Sequence, residues 1–253
     1  MNRIIIFVTF IVLTNTAQSQ TTELPDFSAD RPGMATSPYI VNSKSFQIET
    51  GFSSENDNRE NYLVQTFLYI SSLLRYGINK NAEIRLQTDF ANVKTDSLNT
   101  TGFNPLTIGT KLLITEGKNI IPKTSFLFNL TLPYFGEKNF KPNNFIPSFY
   151  LLMQNDINKK LNVCYNVGLE FDGKSSIPTK FIAICFGYSM TEKFSGFVEN
   201  YNWFSSIERP EYFVDCGLTY MIKKNIQLDI SGSLNLQNIN KYYMFSFGLT
   251  CNF

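Results

Sequence analysis

The sequence predicts an all-β fold, a transmembrane up-and-down antiparallel barrel of about 12 strands behind a cleaved leader. Three observations predict it. Apolar and polar residues alternate strictly over stretches of 9 to 13 residues, longer than soluble strands usually run. The links between these stretches are alternately short and long, as in a meander whose two ends face different compartments. Beyond the leader, no apolar run approaches the length of a membrane-crossing helix.

The leader comes first. "MNRIIIFVTFIVLTNTAQSQ" carries Arg3, an apolar run from Ile4 to Leu13 and the small-x-small motif Ala17-Gln18-Ser19. This is the form of a secretory signal peptide over residues 1–19, cleaved after Ser19. Residues 20–43 follow as a periplasmic segment or a plug folded back into the lumen. Pro25, Pro32 and Pro38 hold such a segment extended and keep it from adding a stray strand. The barrel is expected over residues 44–253.

Strands are expected near Ser45–Ser54, Leu63–Ile78, Ala82–Phe90, Leu106–Thr115, Ser125–Leu132 and Pro147–Asn155. Six more follow near Lys160–Asp172, Lys180–Met190, Phe194–Phe204, Glu211–Ile222, Asn225–Leu236 and Met244–Phe253. In "KLNVCYNVGLEFD", Leu161, Val163, Tyr165, Val167 and Leu169 share one face and Asn162, Cys164, Asn166 and Glu170 the other. "NIQLDISGSLNL" opposes Ile226, Leu228 and Ile230 to Gln227, Asp229 and Ser231 in the same way. Leu63–Ile78 is the least regular stretch. Short turns such as "INKNAE", "NDINKK", "MTEK" and "IKKN" alternate with longer loops, among them Ala91–Asn104 and Pro133–Ile146. The last strand closes on the first through Phe46, Ile48, Thr50 and Phe52, with both chain termini expected in the periplasm. A soluble sandwich would alternate too. Strand length, the even count and the link pattern favour a closed barrel, in which no edge is left with unpaired amides in lipid.

Composition narrows function. Lysine plus arginine (22) nearly equals aspartate plus glutamate (21), which argues against a nucleic-acid partner. Histidine is absent, so Ser-His-Asp triads, Cys-His pairs and histidine metal sites are excluded. Cys164, Cys185, Cys216 and Cys251 show no CxxC spacing. No enzyme activity, cofactor or metal site is expected.

With the apolar faces turned to lipid, parity places Glu49, Arg75, Glu83, Arg85, Asp89, Lys111, Glu170, Glu199, Asp215 and Asp229 in the lumen as a candidate solute path. The competing reading is a salt-bridge network that fills the barrel. The box Asp30-Arg31-Pro32-Gly33 is the candidate plug, with Arg31 expected to meet Glu49 or Asp89 and Asp30 an arginine. A self-contained Asp-Arg turn is the alternative. Cys164 and Cys185 are expected opposite each other on neighbouring strands, either bridged or as reduced small fillers.

The stretch "LPDFSADRPGMATSPYIVNSKSFQIETGF", with "LLRYGINKNAEIRLQTDF", "TIGTKLLI", "GYSMTEKFSGFVENY" and "DCGLTYMIKKNIQLDISGSLN", resembles the bacterial outer-membrane family named for the "MetA pathway" of phenol degradation, also called transporters. The resemblance spans essentially the whole mature chain. It implies an outer-membrane barrel and passage of small, aromatic or hydrophobic compounds. The terminal Phe253 resembles the signal by which outer-membrane proteins reach their assembly machinery. The partners expected are therefore membrane lipid, that machinery and a small solute. A non-conducting barrel acting through its extracellular loops is the alternative function.

Overall fold

The computed structural model describes residues 27–59, 62–206, 208–239 and 241–253. The expected leader and residues 20–26 of the N-terminal segment lie outside them. Among the described residues thirteen strands are present: β1 (Phe46–Asp57), β2 (Val64–Asn79), β3 (Ala82–Lys94), β4 (Asn99–Phe103), β5 (Thr107–Thr115), β6 (Lys123–Thr131), β7 (Ile146–Asp156), β8 (Leu161–Glu170), β9 (Thr179–Ser189), β10 (Phe194–Phe204), β11 (Glu211–Lys223), β12 (Ile226–Asn235) and β13 (Tyr242–Asn252).

Twelve of these close a ring. Each pairs antiparallel with its neighbour in sequence, β3 passing to β5, and β13 returns to β1 from Gln47↔Asn252 to Asp57↔Tyr242. The thirteenth corrects the sequence reading. Ala91–Asn104 is not a bare loop, because β3 continues to Lys94 and β4 pairs beside it, Phe90↔Phe103 to Lys94↔Asn99. Asn, Thr and Gly dominate this hairpin and mask it as loop. Pro105, which has no amide to give to a ladder, separates β4 from β5.

Leu63–Ile78 reads irregularly because β2 contains a β-bulge. The register shifts between Leu68 and Ile70, so Tyr69 and Ile70, adjacent in sequence, are both exposed. A bulge adds one residue and breaks the period of two. Among the described residues, further register shifts fall only at the short-turn ends of β2, β5 and β11, and along the rest of the strands parity is kept. Val167 is 50% exposed while its neighbour Asn166 is 1% exposed, and Leu218 is 41% exposed while Asp215 is 1%. The largest fully buried side chains include Arg75, Lys111, Glu49, Glu83 and Glu199, and the outside carries Ile84, Ile182, Phe186, Ile230, Phe245 and Phe247. Apolar outside and ionic inside inverts a water-soluble protein and matches a sheet whose outer solvent is hydrocarbon.

Candidate functional site in the barrel lumen

From Phe27 to Ser45 the chain enters no barrel strand and makes its contacts with inward side chains all around the ring. The first contact is ionic. The inner wall of β1, β2, β3 and β5 presents Glu49, Arg75, Glu83, Arg85 and Lys111, three cations against two anions. Asp30 supplies the third anion. Its carboxylate accepts from Lys111 Nζ at 3.0 Å and from Arg85 Nη1, and lies 3.4 Å from Arg75 Nη1. Arg75 also grips Glu83 through Nε and Nη2, both at 2.9 Å, and Glu49 through Nη1 at 2.9 Å. Its remaining donor capacity goes to the carbonyls of Ser28 and Tyr39, each at 3.0 Å. Lys111 reaches the Ser37 carbonyl at 2.9 Å, and Glu83 accepts the Val41 amide at 2.8 Å. Burial alone would raise the Asp30 carboxyl, but Arg75, Lys111 and Arg85 outweigh it and hold the group well below the usual carboxylate range. A charge held this way persists at ordinary pH and is lost only in strong acid.

The second contact seats Arg31. Gly51 and Gly248 face each other across β1 and β13, and a Cβ on either would overlap the guanidinium. The bare backbone lets Arg31 lie on the wall. There it donates to Asp229 from Nη2 at 3.2 Å and Nε at 3.4 Å, and to Ser246 Oγ at 2.8 Å. The expected partners of Arg31 are thereby corrected. Arg75 occupies Glu49, whose remaining capacity takes the backbone amides of Asp30 and Arg31. Asp89 stands apart, accepting from Asn104 at 3.3 Å. Asp30, expected to meet an arginine, meets two and a lysine.

The third contact crosses to the opposite wall. Glu199 on β10 accepts the amides of Met34 and Ala35 at 3.0 Å, with Gly33 packed so closely that a Cβ would strike its Oε2. Asn166 on β8 brackets Thr36, accepting its amide at 2.7 Å and donating to its carbonyl at 3.0 Å. Ser125 on β6 donates to the Pro38 carbonyl. Pro32 follows a cis peptide bond and lines the cavity described below. Asp215 is buried directly opposite Glu199 in register and forms no ion pair among the described residues. Cys164 and Cys185 face each other across β8 and β9 and are both free thiols.

An aromatic wall completes the lumen, and the charge-based reading missed it. Phe213 stacks parallel on Tyr201 with centroids 5.0 Å apart, and Tyr242 meets Phe213 edge-on at 4.9 Å. Trp203 lies 5.5 Å from Phe181, which packs edge-on against Tyr150 at 6.0 Å. Glu170 is held here, accepting from Tyr150 Oη at 2.7 Å and Trp203 Nε1 at 3.1 Å. The signal was present: these aromatics occupy the lumen parity near the long-loop ends of their strands.

Two cavities flank the inserted segment and share no lining residue. One, about 400 Å³, lies between Tyr150, Phe181 and Met244 on one side and Arg85, Gln87 and Asn129 on another, with Asp30–Met34 against it. The other, about 130 Å³, is bounded by Phe27, Tyr39–Ser43 and short-turn residues such as Lys80 and Glu116.

The family profile described as "Putative MetA-pathway of phenol degradation" matches residues 29–253. No curated protein matches the sequence. Among solved structures, an outer membrane channel from Pseudomonas putida F1 is similar at TM-score 0.73 and 11% identity, covering 88% of this chain and 99% of that one. The KdgM porin in complex with disordered oligogalacturonate is similar at TM-score 0.58 and 10% identity, covering 82% and 99%. The translocator domain of the autotransporter NalP from Neisseria meningitidis reaches TM-score 0.50 at 11% identity, covering 84% and 88%. At such identities the likeness is one of fold.

Proposed function

Since this chain belongs to the MetA-pathway of phenol degradation family, we propose that it is an outer-membrane channel for passive passage of small solutes, with the segment up to Ser43 acting as its plug. The cavity of about 400 Å³ carries this reading. Its aromatic side offers ring faces and edges, and its polar side offers hydrogen-bonding groups. A small aromatic compound bearing a hydroxyl or carboxyl group fits both at once. Glu49, Arg75, Glu83, Arg85 and Lys111 hold the plug, while Glu170 borders the path above it. Asp89, Glu199, Asp215 and Asp229 place further carboxylates along the wall. The family's association with phenol breakdown agrees with that solute class.

A second reading has its own support. The inserted segment is bonded to both walls of the lumen, and the cavities on its two sides have no lining residue in common. A barrel so filled would act through its longer loops. Planar-bilayer conductance of the refolded chain separates the two. For a channel, deletion of residues 20–42 raises conductance in a barrel that still folds, and small phenols or benzoates lower the ion current of that open form. Unchanged conductance in the folded deletion variant, without uptake of any aromatic solute into proteoliposomes, defeats the channel reading.

A further inference from the structure

We propose that the short-turn rim of the barrel binds anionic phospholipid headgroups of the periplasmic leaflet, which would fix the barrel's depth and tilt. The sequence puts a lysine in every short turn. Lys80 joins β2 to β3, Lys118 joins β5 to β6, Lys159 and Lys160 join β7 to β8, and Lys193 joins β9 to β10. Lys223 ends β11, and Lys224 follows it before β12. All of them are exposed, and none forms an ion pair among the described residues.

Carboxylates do not cancel this charge. Glu116 is engaged by Lys123, which rises from the start of β6. Asp156, which accepts from Tyr39 Oη at 3.2 Å and from Gln154 at 2.8 Å, keeps its charge. With the exposed Glu192 it sets two acids against the seven lysines of the short turns, so the rim stays basic. The other rim is mixed: Lys94, Lys138, Lys141, Lys174 and Lys180 stand among Asp96, Glu137, Asp172 and Glu208. The asymmetry is one of charge placement in a chain whose totals balance.

The neighbours of the lysines identify the occupant. Immediately inside the basic rim, the outward face carries Tyr76, Ile78, Tyr188, Tyr220 and Ile222, all exposed. Tyrosine at the boundary of an apolar band marks headgroup depth. The basic rim is therefore continuous with the lipid-facing belt, at the level where phosphates lie. Lysine stems can lie along the apolar band while the ammonium reaches outward. Successive short turns are two strands apart, about 10 Å along the rim, so each turn meets its own headgroup. Attraction of this kind amounts to about fivefold in local lipid partitioning per lysine at the surface and weakens with salt.

The test uses the full chain refolded into nanodiscs of phosphatidylethanolamine with and without phosphatidylglycerol. Lipids retained through detergent extraction are counted by native mass spectrometry. Two variants are compared: K80Q/K118Q/K160Q/K193Q/K224Q at the short-turn rim, and K94Q/K138Q/K141Q/K174Q/K180Q at the other. Native chain and other-rim variant should both enrich phosphatidylglycerol several-fold, falling with added salt, while the short-turn variant loses the enrichment. Retained enrichment in the short-turn variant, equal loss in both variants, or none in the native chain overturns the proposal. Binding of an acidic periplasmic protein by a native chain that ignores phosphatidylglycerol also overturns it. Heat-modifiable migration confirms that each variant folds. The proposal stands apart from the channel reading, because lipid retention does not depend on conductance.

Discussion

The two sides of the lumen hold their contents by opposite means. Around β1, β2, β3 and β5, Arg75, Arg85 and Lys111 face Glu49, Glu83 and Asp30, and three charges of each sign cancel within one network. Around β7 to β13, the rings of Tyr150, Phe181, Tyr201, Trp203, Phe213 and Tyr242 pack on one another with few formal charges among them. The ionic side is incomplete without the inserted segment, because five of its six charges belong to the wall and the sixth to Asp30. The aromatic side is complete without it. A six-charge network ties the segment to one wall, Asp229 and Glu199 hold Arg31 and the Met34 and Ala35 amides on the other, and ring contacts shape the space left beside them.

This contrast is broken most severely at Arg75. Arg75→Ala leaves Glu49 and Glu83 buried without their main cation, and stranding one partner of a buried pair costs about 3–5 kcal/mol. Urea unfolding of the refolded barrel should show a loss of that order. Arg75→Lys should recover part of it, since one ammonium cannot serve Glu49 and Glu83 in the forked geometry that the guanidinium uses. A loss below about 1 kcal/mol for Arg75→Ala would mean that the network is hydrated and that the wall does not need its charges cancelled.

Gly248→Ala is expected to have a smaller effect, confined to the segment. The new methyl occupies the place of Arg31 Nε and lifts the guanidinium from Asp229 and Ser246. Crowding of this size costs about 1–3 kcal/mol, and here the segment bears it, since β13 keeps its pairing with β1. Limited proteolysis should cut within residues 27–45 faster while barrel migration is unchanged. Equal protection in Gly248→Ala and the native chain would show that Asp30 and Glu199 suffice to hold the segment.

How far the sequence foretold these two sides depends on what a period of two can encode. Parity alone separates Lys111 and Asp229 from Leu112 and Ile230, because a strand in a barrel has only an inside and an outside. Parity does not encode height, so it could not pair Arg31 with Asp229. That pairing depends on Gly51 and Gly248 meeting across β1 and β13, a matter of register. It failed at Tyr69, where a bulge inserts a residue, and at β4, whose polar strand resembles a loop. The aromatic side was hidden for a different reason. Phe213 and Phe181 are inward by parity, yet an aromatic residue reads as lipid-facing when hydrophobicity alone is used to tell the faces apart.

The smallest expected effect asks what holds the aromatic side together. Tyr201 contributes a ring parallel to Phe213 and a hydroxyl hydrogen-bonded to Ser233. Tyr201→Phe keeps the ring and removes the hydroxyl, which costs about 1 kcal/mol for a neutral hydrogen bond. Tyr201→Leu removes both, adding about 0.5–1.5 kcal/mol for the aromatic contact beyond the loss of buried area. If the rings carry this wall, the leucine variant should lose clearly more stability in urea than the phenylalanine variant, and any aromatic solute that blocks the open barrel should bind less well only to the leucine variant. If the two variants lose the same amount, the hydroxyl is the anchor and the stacked geometry is incidental. In that case both sides of the lumen would be held by polar contacts, and the difference between them would lie only in how those contacts are charged.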